Sequence, residues 1–121
     1  MLLSERLTIY VPSHSADGWA TEAMQKTWRD AWLVSLAEWF GGATADAPAQ
    51  GAYLDAKGQL QTETVVKVYA YATPKDLEAA RDKIGSKMWH MMQAMKQESV
   101  AYEDRAGLHL ILNDYKTRQA S

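Results

Sequence analysis

Alternating hydrophobic and polar positions near the start of the chain predict a β-strand. Leu7, Ile9 and Val11 alternate with polar or amphipathic residues, and Pro12 ends the run. A period of two is typical of a strand that is buried on one face. Turn-forming residues follow at 13–18, so a change of direction is expected before the next element.

Hydrophobic residues then recur every three to four positions over residues 21–40, which predicts an α-helix with one buried face. Thr21 stands at the N-cap position, and two glycines follow Phe40 and end the helix. We expect Trp28 and Trp39 to anchor this helix in the core, and one tryptophan of the helix to stay partly exposed.

The middle of the chain predicts a β-hairpin. Residues 43–50 are small and polar and include Pro48, so they are interpreted as a loop. A short strand at 51–54, a turn at 55–58 and a long valine- and tyrosine-rich strand at 59–72 complete the hairpin.

A second helix is predicted to begin after Thr73, with Pro74 at the first helical position. Its buried stripe is predicted to consist of Leu77, Ala80, Ile84, Met88, Met91 and Met95. Residues 100–102 and 108–112 then predict the last strand, with a turn or bulge at 104–107.

The resulting order β-α-β-β-α-β predicts an α+β fold of the ferredoxin-like split βαβ type. In this fold two helices cover one face of a four-stranded antiparallel sheet. The length of 121 residues suits one domain, which we place at residues 1–114, with a polar C-terminal tail at 115–121. A simple meander with helices at one end is the alternative.

Strand alternation assigns each residue of the sheet to one of two faces. The predicted helix-facing residues are Leu7, Ile9, Val11, Val66, Val68, Ala70, Ala72, Leu108, Leu110 and Leu112. The opposite face, called the open face below, is predicted to carry Thr8, Tyr10, Lys67, Tyr69, Tyr71, His109 and Ile111. A slip of one residue in any strand would exchange its two sets.

Several hypotheses compete for this aromatic open face. The first is homodimerisation, because tyrosines suit a partly wet interface. The second is a cleft for a small ligand or substrate between the face and a partner or loop, and the third is base stacking with a single-stranded nucleic acid. Recognition of another protein is a fourth. We do not expect a nucleic-acid partner, because the net charge is −2 and no basic stripe is visible.

Candidate catalytic chemistry is sparse. The absence of cysteine excludes a thiolate nucleophile, a Cys-ligated zinc site and an iron–sulfur cluster. The three histidines, His14, His90 and His109, are scattered without metal-ligand spacing, so no metal is expected. No nucleotide or dinucleotide motif appears, and no cofactor is expected. If the chain is an enzyme, we expect His109 to transfer protons, with Tyr10 and Tyr69 as neighbours.

Composition and targeting signals complete the picture. With 47% hydrophobic and 23% charged residues, the chain has the composition of a globular protein. No signal peptide and no long apolar run is visible, so we expect no membrane association and a cytoplasmic location.

Four short motifs resemble a family of small bacterial proteins of unknown function. They are Phe-Gly-Gly at 40–42, the Asp-x-x-Gly hairpin at 53–59, Lys-Val at 67–68 and Gln-Glu-Ser-Val at 97–100. The similarity spans residues 36–112 and implies the β-α-β-β-α-β fold without implying an activity. Members of the family often carry export signals, which this sequence does not show.

Three functional hypotheses therefore stay open. The first is a small binding module that forms homodimers through the open face. The second is a cofactor-independent enzyme of the dimeric ferredoxin-like type, with a pocket near His109. The third is a phage- or plasmid-encoded inhibitor of a host system that acts by protein–protein contact. Glu98, in the last motif, is either a functional acid or a turn residue.

Overall fold

The structure is a computed structural model that describes residues 1–13 and 18–113. His14 and the predicted tail at 115–121 lie outside the described residues. The elements are β1 (Glu5–Val11), α1 (Glu22–Phe40), β2 (Thr44–Ala45), β3 (Ala49–Leu54), β4 (Leu60–Ala72), α2 (Pro74–Ala94), β5 (Ser99–Asp104) and β6 (Gly107–Leu112). Within the described residues the protein is thus an α+β fold with two helices and six strands.

The strands form one antiparallel sheet in the order β2-β4-β1-β5-β6, and β3 pairs with the N-terminal half of β4. The order β5-β1-β4-β3 within it agrees with the predicted ferredoxin-like kind of fold. The predicted number of four strands is wrong. Two residues of the expected loop, Thr44 and Ala45, pair with β4 as β2, and the expected last strand reverses at residues 104–107 to form β5 and β6.

The predicted helix caps are confirmed. The Thr21 hydroxyl accepts a hydrogen bond from the Met24 amide at 3.2 Å, and the Thr73 hydroxyl accepts one from the Asp76 amide at 3.1 Å. Gly41 ends α1 in the left-handed conformation with φ 94°, where a side chain would be strained. These local signals fix the helix boundaries within a residue.

Both helices pack on one face of the sheet, and the buried stripe predicted for α2 is confirmed. For α1 the predicted anchors are wrong: Trp32 is fully buried, whereas Trp28 and Trp39 are only half-buried. The indole N–H of Trp32 donates to the Met91 sulfur at 3.3 Å, on the seam between the helices. Gln25 also lies on the buried side of α1, and its side-chain amide donates to backbone carbonyls of β1 and β4.

The register of β6 differs from the prediction. Leu108, Leu110 and Leu112 are exposed on the open face, and His109 and Ile111 lie on the helix side. A two-residue turn after Asp104 pairs each even-numbered residue of β5 with an odd-numbered residue of β6. Residues that pair across strands share a face, so the tight turn decides which side chains of β6 point inward.

Candidate functional site

The open face carries five of the seven residues that the sequence assigned to it. Tyr10 pairs with Lys67 and Thr8 with Tyr69 across β1 and β4, and Tyr71 follows on the same side. Lys67 and Tyr69 are half-buried and Tyr71 is exposed. The side chains of these strands therefore form a continuous polar and aromatic surface away from the helices.

Arg6 organises one end of the open face. Its guanidinium carbon lies 4.0 Å from the centre of the Tyr69 ring and 5.7 Å from that of Tyr71. The two tyrosine rings meet edge to face at 6.1 Å. Cation–π and edge-to-face contacts of this kind hold aromatic rings in fixed positions. These contacts fix the side chains at this end of the open face.

Tyr10 lies near the middle of the open face and bonds to β5. Its hydroxyl donates to Glu103 Oε1 at 3.3 Å. Partial burial and the negative charge of Glu103 both raise the pKa of Tyr10 above its usual value. Tyr10 is consequently a neutral phenol at physiological pH and is a weak candidate for a general base.

His109 does not join the tyrosines of the open face, because it lies on the opposite side of the sheet. Its ring stacks on Tyr102 at 4.7 Å, and its Nε2 lies 2.8 Å from Asp104 Oδ1. Burial alone would raise the pKa of Asp104, but hydrogen bonds from His109, the Ala106 amide and Arg81 outweigh it and lower that pKa. The structure therefore does not bring His109 together with Tyr10 and Tyr69, and the prediction that they are neighbours is wrong.

A row of leucines that the sequence placed in the core lies on the open face. Leu108, Leu110 and Leu112 are 55%, 61% and 61% exposed, respectively. The row adjoins Tyr10, because Ala101 of β5 pairs with both Tyr10 and Leu110. Three exposed leucines beside an aromatic surface form a contiguous apolar patch, which isolated small domains rarely expose.

A second feature, here called the Tyr53 corner, lies where the β3–β4 hairpin extends the open face. Tyr53 pairs with Gln61 and Gly51 pairs with Glu63, so the tyrosine and Glu63 share one side of the hairpin. The pKa of Tyr53 is raised by partial burial and by the negative charges of Glu63, Glu98 and Asp55, in that order. The corner thus combines a neutral phenol with three carboxylates.

Asp55 holds the hairpin tip in shape. Its Oδ1 accepts hydrogen bonds from the Lys57 and Gln59 amides, each at 2.9 Å, and its Oδ2 accepts one from the Gln61 side chain at 3.0 Å. Gly58 supplies the positive φ of the turn, 76°. The hydrogen bonds that Asp55 accepts lower its pKa, so it remains charged beside Tyr53.

Most of the Tyr53 corner is not evident from the sequence pattern. Glu98 and the Asp-x-x-Gly turn stand out there, whereas Tyr53 and Glu63 have no assigned role. The available signal was weak, because Glu98 precedes β5 and is distant from the hairpin in sequence. Only the pairing of β5 and β4 with β1 brings these segments to one end of the sheet.

No group of three or more His, Cys, Asp or Glu side chains among the described residues could hold a metal ion. No helix in the described part of the chain is long and apolar enough to cross a membrane.

Sequence comparison finds no matching protein-family model and no matching curated protein. Solved structures, by contrast, match nearly the whole chain. A phage SAM lyase in complex with S-methyl-5′-thioadenosine superposes with a TM-score of 0.67 at 18% identity, covering 92% of this chain and 91% of that one. The apo form of a phage SAM lyase gives 0.59 at 19% identity, covering 91% and 90%.

The divalent ion tolerance protein CutA1 from Ehrlichia chaffeensis is also similar, with a TM-score of 0.51 at 11% identity, covering 83% of this chain and 77% of that one. These neighbours are small α+β proteins of the same general kind. At such low identities the similarity establishes the fold alone.

Proposed function

We propose that this chain is a cofactor-independent lyase for S-adenosylmethionine or a closely related sulfonium nucleoside. It works as a self-associated protein whose site lies on the open face at the Tyr53 corner. The observation that carries the proposal is the position of Tyr53 and Glu63 on one side of the β3–β4 hairpin, where the negative charges of Glu63, Glu98 and Asp55 raise the pKa of Tyr53. The structural similarity to a phage SAM lyase, over 92% of this chain, supports the same substrate class.

The charge of the corner fits a cationic ligand. S-adenosylmethionine carries a sulfonium, an ammonium and a carboxylate, so its net charge is positive at neutral pH. A unit charge 4 Å from a carboxylate near a protein surface gains about 4 kcal/mol before desolvation. Glu63 and Glu98 therefore favour this ligand over an uncharged thioether nucleoside.

The carboxylates assist the reaction only if they bind the ammonium. Cleavage of the carbon–sulfur bond sends the bonding electrons to sulfur and gives a neutral thioether. A carboxylate against the sulfonium would stabilise the reactant more than the transition state and slow the step. The ammonium keeps its charge throughout, so Glu63 or Glu98 can hold it without opposing the reaction.

A lyase adds no water, so the substrate itself supplies the electrons that replace the broken bond. If the substrate carboxylate attacks the γ-carbon, a carbon–oxygen bond forms as the carbon–sulfur bond breaks, and the products are a lactone and a thioether. This step needs no proton acceptor. The raised pKa of Tyr53 keeps its hydroxyl protonated and able to donate a hydrogen bond to the ligand.

The second wall of the site is proposed to come from another copy of the chain. An open sheet face does not enclose a small ligand, whereas binding sites are usually concave. The leucine row beside Tyr10 offers the apolar surface for self-association, and a homodimer is the simplest closed arrangement. A cytoplasmic location is part of this proposal.

The test is incubation of the purified protein with S-adenosylmethionine and chromatographic detection of S-methyl-5′-thioadenosine. We expect turnover by the native chain and at least a tenfold loss of kcat/KM in Glu63→Gln. The control is Glu38→Gln, since Glu38 is exposed on α1, on the helix side. Absence of the thioether product, or equal activity in the two variants, would contradict the proposal.

A second candidate is a homodimeric binding module without catalysis, which the leucine row favours independently of the Tyr53 corner. Calorimetry with S-adenosylmethionine and with the uncharged S-methyl-5′-thioadenosine separates the two. Self-association without turnover and without any preference for the cationic nucleoside would favour the module.

A further inference from the structure

A groove between α1 and α2 lies on the helix side of the protein and takes no part in the proposed lyase site. It is a shallow groove, largely open to solvent, with a volume of about 500 Å³. Trp28 and Trp39 of α1 line one wall, and Lys83, Lys87 and His90 of α2 line the other. The groove therefore has an aromatic wall facing a basic one.

The spacing of these residues follows the two helices. Lys83, Lys87 and His90 occupy successive turns of one face of α2, a row of about 10 Å at 1.5 Å per residue. The two tryptophans of α1 are separated by three turns, or about 16 Å. A groove bounded by two such rows is elongated, which suits an extended or helical segment better than a compact ligand.

Lys83, Lys87 and His90 form a basic row, and its two lysines can pair with acidic groups of a partner. Among the described residues, neither Lys83 nor Lys87 forms an ion pair. The Lys87 ammonium lies 5.8 Å from the centre of the Trp28 ring, which keeps it over the aromatic wall. Asp82 is the single acidic side chain that lines the described groove. This basic surface stands out in a chain of net charge −2.

We propose that this groove binds an acidic amphipathic helix of another protein. In helix-in-groove recognition, apolar side chains spaced by three or four residues enter the groove, and charged side chains along its edge set the orientation. Here the indoles of Trp28 and Trp39 meet the apolar face of the partner. Its carboxylates meet the row of Lys83, Lys87 and His90, and this complementarity accelerates association and selects against basic helices.

The probe is a fluorescein-labelled synthetic helix of about 15 residues, built from alanine, leucine and glutamate, with the leucines on one face and the glutamates beside them. Fluorescence anisotropy is measured against the full chain. A second peptide, identical except for lysines in place of the glutamates, tests the charge preference. We expect the acidic peptide to bind and the basic peptide to bind at least tenfold more weakly.

Protein variants locate the binding surface. The double variant Lys83→Ala with Lys87→Ala is expected to bind the acidic peptide about tenfold more weakly than the native chain. The matched control is Lys26→Ala with Lys75→Ala, which removes the same charge from exposed helix positions that do not line the groove. Circular dichroism checks that both variants remain folded.

Each other outcome overturns the proposal. Equal weakening of peptide binding in the two double variants would indicate a nonspecific charge effect. Equal binding of the acidic and basic peptides would show that the groove does not select an acidic partner. A fall in the mass of the native oligomer caused by the Lys83/Lys87 variant would assign the groove to a second copy of this chain. Turnover of S-adenosylmethionine is unchanged in both double variants, so this test is separate from that of the lyase.

Discussion

Replacing Leu110 by glutamate should dissociate the protein into folded monomers. Leu110 is the middle residue of the leucine row, and all three leucines are more than half exposed in the single chain. Full burial of a leucine contributes about 1.5–3 kcal/mol. Covering the exposed part of each one therefore contributes about 1–2 kcal/mol, and six leucines from two copies together contribute about 6–11 kcal/mol.

This gain lies within the range that association costs, about 4–15 kcal/mol. The tyrosines of the open face must therefore add to it, and the net affinity is moderate. A glutamate at position 110 removes one leucine contact and adds a carboxylate that must be desolvated. We expect a loss of about 2–4 kcal/mol per copy, which for the two copies of a dimer raises the dissociation constant by roughly a thousandfold or more.

Analytical ultracentrifugation at micromolar concentration measures the effect. The native chain should sediment at a multiple of 13.6 kDa, and Leu110→Glu should sediment as the monomer with an unchanged circular dichroism spectrum. The control is Val34→Glu, because Val34 is equally exposed (57%) but lies on α1, on the helix side. A monomeric native chain, or dissociation by the control alone, would refute the role of the leucine row.

Two further predictions concern the stability of the fold. Trp32→Ala should lower the free energy of unfolding by about 3–5 kcal/mol. Trp39→Ala should lower it by less than half as much, because Trp32 is fully buried and Trp39 is not. Equal urea midpoints for the two variants would contradict this prediction. Asp104 has a lowered pKa in the fold, so its stabilising contribution is present above the ordinary carboxyl pKa of about 4 and is lost as the pH falls through the folded value. Asp104→Asn should accordingly flatten the acid limb of the stability–pH profile, and parallel profiles would show that the hydrogen bonds to Asp104 contribute little.

Local sequence signals were enough for most of the secondary structure. Thr21 and Thr73 each cap a helix, and Gly58 turns the β3–β4 hairpin, because each effect depends on groups only a few residues apart. The register of β1 and β4 was also predicted correctly, since Lys67 would be costly to bury beneath two helices.

The register of β6 could not be obtained from its own pattern. Its three leucines look like a core-facing set, and burial of leucine is the usual outcome. The tight turn after Asp104 fixes the pairing with β5 instead, and it leaves the leucines outside and His109 inside. Here a tight turn places a row of apolar side chains on the solvent side of the sheet. We expect a partner to bury such side chains, so the leucine row indicates an interface.

One part of the candidate site follows from the sequence pattern, and the other part depends on the tertiary structure. The tyrosines of the open face follow from strand alternation, a property of neighbouring residues. The Tyr53 corner joins Glu63 of the hairpin to Glu98, which lies beyond a whole helix in sequence. The sequence by itself determined the helices, the caps, the hairpin and the two faces of its central strands, since hydrogen bonds and periodicity act over short distances. Only the tertiary structure decided which tryptophan is buried, which face β6 shows to solvent and which carboxylates act on the pKa of Tyr53. These features depend on pairings between segments that are distant along the chain.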